Sequence, residues 1–283
     1  MAIQFEKVNY IYAPKTSSEY HALKDFSLTI ELGKITGILG HTGSGKTTLV
    51  QHLNALLLPT KGQIKVMEFL IEPDTKIKNI KNLRKQVGLI FQFPEYQLFE
   101  ETIEKDISFG PKNFGVSEEK AIIKAREMLK VVSLDASYLQ ASPLNISGGQ
   151  KRRVAIAGIL AMNPDVLILD EPTAGLDPQG AKEIMELFNK LNKNENKTII
   201  MVTHDLTQVV EYCDNVVLLN KGELVVSTTK EDFFADDELL EKWNVKAPSL
   251  IEFQQLLIKK GVKLKKRHYN LNDLIAELGV TNE

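Results

Sequence analysis

Short, uninterrupted apolar runs separated by helical patterns constrain the fold of this chain more than any other feature. The runs are ITGILG, VGLIF, VLILD and TIIMVT, at residues 35–40, 87–91, 166–170 and 198–203. Strands that are apolar on both faces are typical of a parallel sheet covered by helices on both sides. Helices are expected over residues 46–57 and 117–132, the second with Ser117 as its N-cap. The pattern predicts an α/β fold, with a β-hairpin over residues 216–227.

The first apolar run leads into GHTGSGKT, residues 40–47, which opens the first expected helix. Glycines let a backbone wrap closely around a phosphate chain, and the helix N-terminus adds its dipole. Lys46 is expected to reach the β- and γ-phosphates of a nucleotide, and the Thr47 hydroxyl is expected to bind Mg²⁺. A chance glycine turn is the alternative, which the flanking strand and helix disfavour.

Two further runs also end in polar groups. VLILDE ends in Asp170 and Glu171, whose side chains should point differently and hold separate roles, one assisting Mg²⁺ and one polarising a water. His204 follows TIIMVT. A helix N-cap with a surface acid, and a structural histidine, are the alternatives. Ligands bind at the carboxyl ends of strands in open α/β sheets, which favours a functional role for these groups. The strand that ends at Asp170 is expected to lie beside the phosphate-loop strand.

A second glycine-rich helix start is predicted by SGGQKRR, residues 147–153. The hydroxyl of Ser147 and the backbone N–H groups of the two glycines suit an anion. Lys151, Arg152 and Arg153 lie at the unfavourable end of the helix macrodipole, so an anion or acidic neighbours are expected close to them. The residues leave both possibilities open. They also leave open whether the two glycine-rich starts meet one nucleotide within one chain.

The last forty residues have a different pattern. Ser249 and Glu252 have the spacing of a capping box, and Gly261 and Gly279 are expected to end two helices. A tail this short cannot hold its own core, so it should pack on the rest of the chain or on a partner. The basic run KLKKRH, residues 263–268, is expected to be a solvated turn, with a lipid or partner contact as the alternative.

Composition excludes several classes of function. A net charge of -2 and a pI near 6.3 give no general attraction to nucleic acid or to anionic lipid. No apolar run has transmembrane length, and the first residues, MAIQFEKVNY, do not have the pattern of a signal peptide. Cys213 is the single cysteine, which excludes an intrachain disulfide, fits a reducing, cytosolic setting and favours a small buried side chain.

Six motifs resemble, in order, those of the ATP-binding-cassette (ABC) ATPases: GHTGSGKT, Gln92, SGGQ, VLILDE, AGLDP and His204. The resemblance spans about residues 3–240. FQFPEYQLFEET and FGPKNFGV are similar to the ATPases of energy-coupling factor (ECF) transporters, and most similar to the second of their two paralogous ATPase subunits. One residue departs from the pattern, because Ile146 stands where Leu usually precedes SGGQ; this swap nearly conserves volume.

The resemblance implies an architecture. It is an ABC-type nucleotide-binding domain over residues 1–243, with a parallel RecA-like sheet core, an antiparallel β subdomain and an α-helical signature subdomain over about 93–160. A short C-terminal helical extension over residues 244–283 follows. Two such ATPases pair head to tail, and each ATP lies between one chain's phosphate loop and the other chain's signature.

The resemblance also implies roles for single residues. The residues implied to contact nucleotide in one chain are Tyr12, Gly40, His41, Thr42, Gly43, Ser44, Gly45, Lys46, Thr47 and Thr48. Those implied to face the partner's nucleotide or to link the two sites are Ser147, Gly148, Gly149, Gln150 and Asp177. Tyr12 would stack on adenine, although a tyrosine closing a turn is the alternative, and Thr48 would touch the α-phosphate.

Hydrolysis is implied to involve Lys46, Gln92, Glu171 and His204. Glu171 would orient and deprotonate the attacking water, and His204 would contact the γ-phosphate. Mg²⁺ would be held by Thr47, Gln92 and Asp170, and Gln92 would move when the γ-phosphate leaves.

The implied function is that of an ATP-binding and ATP-hydrolysing subunit of an ECF importer, which powers uptake of vitamins or other micronutrients. Its expected partners are a second ATPase subunit, as a paralogue in a heterodimer, a transmembrane scaffold and substrate-binding membrane subunits, with no nucleic acid. The chain would lie peripherally at the cytoplasmic face of the cell membrane, touching it through these partners.

Other functions compete with this one. An importer of metal ions such as cobalt or nickel is one alternative, and a soluble ABC ATPase of translation or DNA repair is another. The single cassette, and the absence of a sustained heptad pattern between Lys46 and Ser147, disfavour the soluble class. A regulatory module without hydrolysis is disfavoured by Glu171 and His204.

The segment FQFPEYQLFEETIEKDISFG, residues 91–110, is too apolar for a solvated loop and too broken for one core element. Exposed apolar clusters rimmed by charge mark interaction sites. Three of its side chains are expected to line a groove for helices of a transmembrane partner, with a place in the local helical core as the alternative: Tyr96, Leu98 and Phe99. Three others are expected to fill a local helical core: Ile103, Ile107 and Phe109.

Overall fold

A computed structural model of the chain describes residues 2–279. In chain order the strands and helices are β1 Ala2–Tyr12, β2 Tyr20–Glu31, β3 Ile35–Leu39, α1 Lys46–Leu53, β4 Lys61–Val66, β5 Phe69–Ile71, α2 Ile77–Gln86, β6 Val87–Ile90, α3 Ile103–Asn113, α4 Glu118–Val131, α5 Gly148–Leu160, β7 Val166–Asp170, α6 Pro178–Glu195, β8 Thr198–Val202, α7 Leu206–Tyr212, β9 Asn215–Asn220, β10 Glu223–Thr229, α8 Lys230–Ala235, α9 Asp237–Lys242, α10 Ser249–Lys259 and α11 Leu271–Leu278. Among these residues, no helix has both the length and the apolar character needed to cross a bilayer.

The larger sheet carries the residues of interest. Within residues 2–279 its strand order is β10-β9-β3-β8-β7-β6, with β9, β3, β8, β7 and β6 parallel and β10 paired to β9 as the expected hairpin. The expectation that β7 lies beside β3 is wrong, because β8 lies between them. Ile38 of β3 and Asp170 of β7 both pair with Val202 of β8, so the carboxyl ends of the three strands are level.

The continuous apolar runs follow from burial of this sheet on both faces. Alternate residues of each strand enter two different cores, because side chains alternate across a strand. In β7, for example, Leu167 and Leu169 face one core and Val166 and Ile168 face the other. Helices α3 to α6 cover the first face, whereas α1, α2 and the smaller sheet cover the second.

The smaller sheet is antiparallel, with the order β2-β1-β4-β5. The architecture confirms the α/β fold class, with a parallel core sheet, an antiparallel β part, a helical part and C-terminal helices. Helix α1 ends at Leu53 rather than near residue 57, because Ala55 turns into the left-handed region with φ +52°. Helix α4 begins after Ser117 as expected, although the Ser117 hydroxyl makes no capping hydrogen bond.

Helices α3, α4 and α5 pack on one another beside the parallel sheet. Ile103 and Ile107 are fully buried, as expected. Phe109 is the exception, because 41% of it is exposed and its ring meets Phe99 edge to face at 4.9 Å between centroids. The prediction that Phe109 fills the helical core is therefore wrong, since its ring stays partly in solvent and packs against Phe99.

The C-terminal helices pack on the chain itself. Ile251 of α10 is fully buried in the core that lies under α3 to α6. The predicted capping box is wrong, because Pro248 occupies the N-cap position and Ser249 is the first helical residue. Gly279 ends α11 in a left-handed conformation, as expected. The three lysines of the basic run are exposed, but its last residue, His268, is buried and bonds to Glu277.

Candidate active site

The carboxyl ends of β3, β6 and β7 open into one cavity with a volume of about 560 Å³. The loop after β3 and the start of α1 form one wall, and Phe91 to Phe93 after β6 form another. Asp170 and Glu171 contribute the acidic groups. Ligand pockets of small molecules have about 300–1,000 Å³, so the volume suits a nucleotide. The structure thus brings the phosphate loop, Gln92 and both carboxylates together.

The loop Gly40–Lys46 requires glycine at two positions. Gly40 has φ +147°, and a Cβ there would lie 2.4 Å from the carbonyl oxygen of Leu219. Gly45, at the N-cap of α1, has φ +103°, and a Cβ would lie 2.6 Å from the carbonyl oxygen of Ala22. The backbone turns tightly here, and the first residues of α1 line the cavity. Backbone N–H groups at a helix start suit a phosphate.

Lys46 bends over this loop. Its Nζ donates to the carbonyl oxygens of Gly40 at 2.7 Å and His41 at 3.1 Å. Burial lowers the pKa of the Lys46 ammonium, and the carboxylates of Glu171 and Asp170 oppose that shift. The amine is therefore partly desolvated and still lies in an acidic setting, which suits a group that exchanges carbonyl contacts for phosphate oxygens.

The remaining residues of the loop have different surroundings. His41, Thr42 and Gly43 are exposed. Ser44 is buried, its N–H donates to the carbonyl of His41 at 3.0 Å, and its hydroxyl has no partner among the described residues. His41 also lines a second cavity, beside His204 and Trp243. Ser44 therefore serves the turn, whereas the exposed loop residues are free to meet a ligand.

Thr47 and Asp170 form the candidate Mg²⁺ site. Both side chains line the cavity. Burial raises the pKa of the Asp170 carboxyl, while the nearby Thr47 hydroxyl and the charge of Lys46 oppose the shift. Gln92 lines the same cavity. Hydroxyl, amide and carboxylate oxygens are the hard donors that Mg²⁺ prefers, so the donor set fits that ion. Within residues 2–279, no cluster of three or more His, Cys, Asp or Glu offers a different metal site.

Glu171 and His204 form a pair at the cavity edge. His204 Nδ1 lies 2.9 Å from Oε1 and 2.8 Å from Oε2 of Glu171. Glu171 has φ +52°, a conformation that costs energy for a residue with a side chain and that clusters at functional sites. Its N–H donates to the carbonyl oxygen of Val202 at 2.9 Å. Because the strand turns sharply at this residue, Glu171 points to His204 while Asp170 points to Thr47.

Two tyrosines flank the phosphate loop. The Tyr12 hydroxyl lies 3.2 Å from Oγ1 of Thr48, so this ring is held beside the start of α1. Tyr20 was missed by the sequence analysis; its hydroxyl donates to the carbonyl oxygen of Gly43 at 2.6 Å and its ring lines the cavity. No local pattern marks Tyr20, because its contact is made across 23 residues of chain.

The signature residues lie elsewhere. Ser147 caps α5 by accepting from the N–H of Gln150 at 3.3 Å, and Gln150 Oε1 accepts from the N–H of Ser147 at 2.9 Å. They line a separate cavity of about 270 Å³ that also includes Asp177, the N-cap residue of α6. A Cβ on Gly148 or Gly149 would meet nothing within 4 Å. The structure does not bring these residues to the phosphate loop of the same chain.

Acidic neighbours explain two of the three cations after the signature. Arg152 is 3% exposed and pairs with Glu95, whereas Arg153 pairs with Glu183. Both partners were missed by the sequence analysis, because they lie 57 and 30 residues away along the chain. The unfavourable position of these arginines in the helix dipole is therefore offset by carboxylates within the same chain.

The sequence is similar to those of known proteins. The family described as ABC transporter matches residues 23–174. The energy-coupling factor transporter ATP-binding protein EcfA2 of Enterococcus faecalis is 51% identical over 278 residues, covering 98% of this chain and 96% of the relative. The EcfA2 protein of Ligilactobacillus salivarius is 53% identical over 260 residues, covering 92% and 90%.

Solved structures are similar as well. The structure of cbiO1 from Clostridium perfringens, described as part of the ABC transporter complex cbiONQ, has a TM-score of 0.73 and 38% identity. It covers 89% of this chain and 98% of that one. The ATP-binding cassette MJ0796, solved as a dimer in a post-hydrolysis state bound to ADP and Pi, has a TM-score of 0.72 and 29% identity. It covers 80% and 98%.

Proposed function

Because the chain belongs to the ABC transporter family, and within it to the energy-coupling factor ATP-binding proteins, we propose that it uses the cavity described above to hydrolyse ATP and drive import. The chain is an ATPase subunit of an ECF importer. The observation that carries the residue-level proposal is the convergence of Lys46, Thr47, Asp170 and Glu171 at level strand ends. We take residues 1–243 as the nucleotide-binding domain and 244–283 as its extension.

Binding follows from the phosphate loop. The N–H groups at the start of α1 and the Lys46 ammonium would hold the β- and γ-phosphates, with Lys46 leaving the carbonyls of Gly40 and His41. Thr47, Asp170 and Gln92 would hold Mg²⁺, which supplies neutralisation of phosphate charge when bound. Phosphoryl transfer depends mostly on positioning and electrostatics, so these contacts carry much of the catalysis.

Glu171 would act as the general base. Its backbone conformation fixes the carboxylate at the cavity edge, and the contact with His204 Nδ1 orients it. The carboxylate would accept a proton from the attacking water, while His204 would turn to the γ-phosphate. A positioned general base contributes about 10²–10⁴-fold to the rate.

A second ATPase chain would complete each site. The signature of this chain lines a cavity separate from the one at its own phosphate loop, and its two glycines have open space beside them within residues 2–279. This arrangement supports a head-to-tail pair in which Ser147, Gly148, Gly149 and Gln150 meet the nucleotide of the partner. We propose that the partner is a paralogous ATPase and that Asp177 links the two sites.

A transmembrane scaffold would dock on the segment after Gln92. Tyr96 is 84% exposed and Phe99 is 64% exposed, so both are available for such a contact. Leu98 is not, because it packs partly against the main core, and it is left out of the proposed surface. Through this scaffold, and the substrate-binding membrane subunits it carries, the chain would be held at the cytoplasmic face of the cell membrane.

Affinity purification from mild detergent tests the function. The chain, tagged in its native host, should recover a second ATPase, a helical membrane scaffold and small membrane proteins whose identities name the cargo. The small proteins distinguish vitamin uptake from metal-ion uptake. Recovery of soluble partners alone, with ribosomes or DNA, would contradict the importer and leave the ATPase.

A further inference from the structure

Arg152, in the first turns of α5, makes hydrogen bonds to two segments that lie far from it along the chain. Its Nε and Nη2 donate to the two carboxylate oxygens of Glu95 at 3.1 and 3.0 Å. Nη1 donates to the carbonyl oxygen of Ala174 at 2.6 Å, and Nη2 donates to that of Gln92 at 3.4 Å. The guanidinium also lies 5.8 Å from the ring centroid of Phe93. One buried side chain thus joins three segments.

The chemistry of this contact depends on arginine. A guanidinium offers five donors in a rigid planar fork, which matches a carboxylate in bidentate fashion and leaves donors for carbonyls. Lysine would supply the charge but not the fork. A buried charge is costly unless it is paired and hydrogen-bonded, so Arg152 and Glu95 hold each other in place.

The three joined segments are those that the proposed function connects with nucleotide. Gln92 lines the cavity at the phosphate loop, and α5 begins at the signature. Ala174 lies in the loop that runs from Glu171 to Asp177. A movement of the Gln92 carbonyl or of Glu95 must therefore displace the guanidinium, and with it α5 and the Ala174 loop.

The next residue provides a comparison within the same helix. Arg153 donates to the carbonyl oxygen of Val132 and pairs with Glu183. These partners lie at the end of α4 and in α6, and neither belongs to the segment after Gln92. Arg153 has the same chemistry as Arg152, a carboxylate partner of its own and a place in the same cavity at the signature, but its hydrogen-bond partners lie outside the segment after Gln92.

We propose that Arg152 is a positioning residue that transmits the state of Gln92 to the signature and to the Asp177 loop. Nucleotide at this chain's phosphate loop thereby sets the geometry of the two segments that face the partner chain. The inference rests on the proposed function, which assigns Gln92, Ser147 and Asp177 to the two nucleotide sites.

Hydrogen exchange of the full chain tests this coupling. Addition of ATP and Mg²⁺ to the wild type should slow amide exchange in three places: residues 91–97, 147–150 and 172–177. Arg152→Lys should keep the protection at 91–97 and lose it at the other two. Glu95→Gln, which keeps the side-chain shape, should show the same loss and serves if Arg152→Lys does not fold. Arg153→Lys and Glu183→Gln are the matched controls and should behave as the wild type.

Kinetics in the detergent-solubilised complex provide a second reading. A displacement of 1 Å in a catalytic group can cost about 10²-fold, so Arg152→Lys should lower kcat at least tenfold and leave KM for ATP within about threefold. If Arg152 had only a structural role, Arg152→Lys would lower the melting temperature and would not lower kcat selectively over KM. Protection at all three places in Arg152→Lys, or equal loss in Arg153→Lys, would overturn the coupling. Failure of the proposed nucleotide site would instead show in the wild type, as no protection anywhere, and would overturn both.

Discussion

At the scale of the residue, Glu171 is held more tightly than a surface carboxylate at a strand end. Its left-handed backbone and its contact with His204 fix one orientation of the side chain. We expect Glu171→Gln to bind ATP and to lose about 10²–10⁴-fold in turnover, because the amide cannot accept the proton of water. Phosphate release and ATP affinity, measured in parallel, check this. The exposed Glu195→Gln is the control, and wild-type turnover in Glu171→Gln would contradict the role.

Lys46 acts at the binding step. Charge-assisted hydrogen bonds contribute about 1.5–3 kcal/mol each, so Lys46→Ala should weaken ATP affinity more than tenfold. Titration calorimetry measures the change, and Lys61→Ala, an exposed lysine on β4, provides the comparison. An unchanged dissociation constant for ATP would show that Lys46 belongs only to the loop carbonyls that it contacts in the structure.

His52 makes the stability of the fold depend on pH. Burial lowers the pKa of His52 to about 4, although its Nδ1–H donates to the carbonyl of Thr48 at 2.7 Å. The unfolded chain takes up this proton below about pH 6.5 and the folded chain does not, so stability is lost as pH falls from 6.5 towards 4. The loss should reach about 2 kcal/mol at pH 5.

Urea unfolding at pH 7 and pH 5 checks this dependence. His52→Gln should remove the loss, because glutamine does not titrate, and the exposed His21→Gln should retain it. An equal loss in the wild type and in His52→Gln would assign the pH dependence to other groups.

At the scale of the element, the segment after Gln92 exposes the rings of Tyr96 and Phe99 more than any other side chain of the proposed docking surface. We expect Tyr96→Ser with Phe99→Ser to reduce recovery of the membrane scaffold while the melting temperature changes little, because exposed side chains contribute little to folding. Ile123→Ser, on the exposed face of α4, removes comparable apolar surface elsewhere and is the control. Full recovery of the scaffold by the double variant would place the docking surface elsewhere.

The strands of the core could be predicted from local sequence, whereas the order in which they lie in the sheet could not. The apolar runs predicted β3, β6, β7 and β8, because a strand buried on both faces has a local pattern. The position of β8 between β3 and β7 depends on contacts between distant residues, and so does the pair of Arg152 with Glu95. Phe109 lies in α3 among both polar and apolar residues, and local sequence does not say that its ring meets Phe99 at the surface.

Some residues of the site could also be predicted from local sequence, whereas others could not. Lys46 and Thr47 could be predicted as site residues from the eight-residue motif GHTGSGKT, because a single short loop supplies the groups that bind a phosphate chain. Tyr20 reaches the same loop from another strand, and no local spacing marks it. The left-handed conformation of Glu171 also had no signal, since such a conformation is normally predicted only at Gly or Asn.

At the scale of the whole molecule, the phosphate loop and the signature line two separate cavities. We expect Ser147→Arg to lower ATP hydrolysis of the complex by roughly 10²-fold, because it would block the donors that we propose to meet the partner's nucleotide. ATP affinity at this chain's own phosphate loop should be unchanged. Single-turnover hydrolysis and nucleotide binding separate the two effects, and Ser137→Arg, an exposed position in the same helical part, is the control. A loss of affinity at the chain's own loop would place the signature in the same site.

The open space beside Gly148 and Gly149 determines which substitutions the isolated chain tolerates at these positions. Within residues 2–279 nothing requires glycine at these positions, since an added methyl group would meet no atom within 4 Å. A screen that scores folding or solubility of the isolated chain would therefore accept many substitutions there. A screen that scores growth on the imported nutrient would reject them, and the difference between the two maps would outline the footprint of the partner chain.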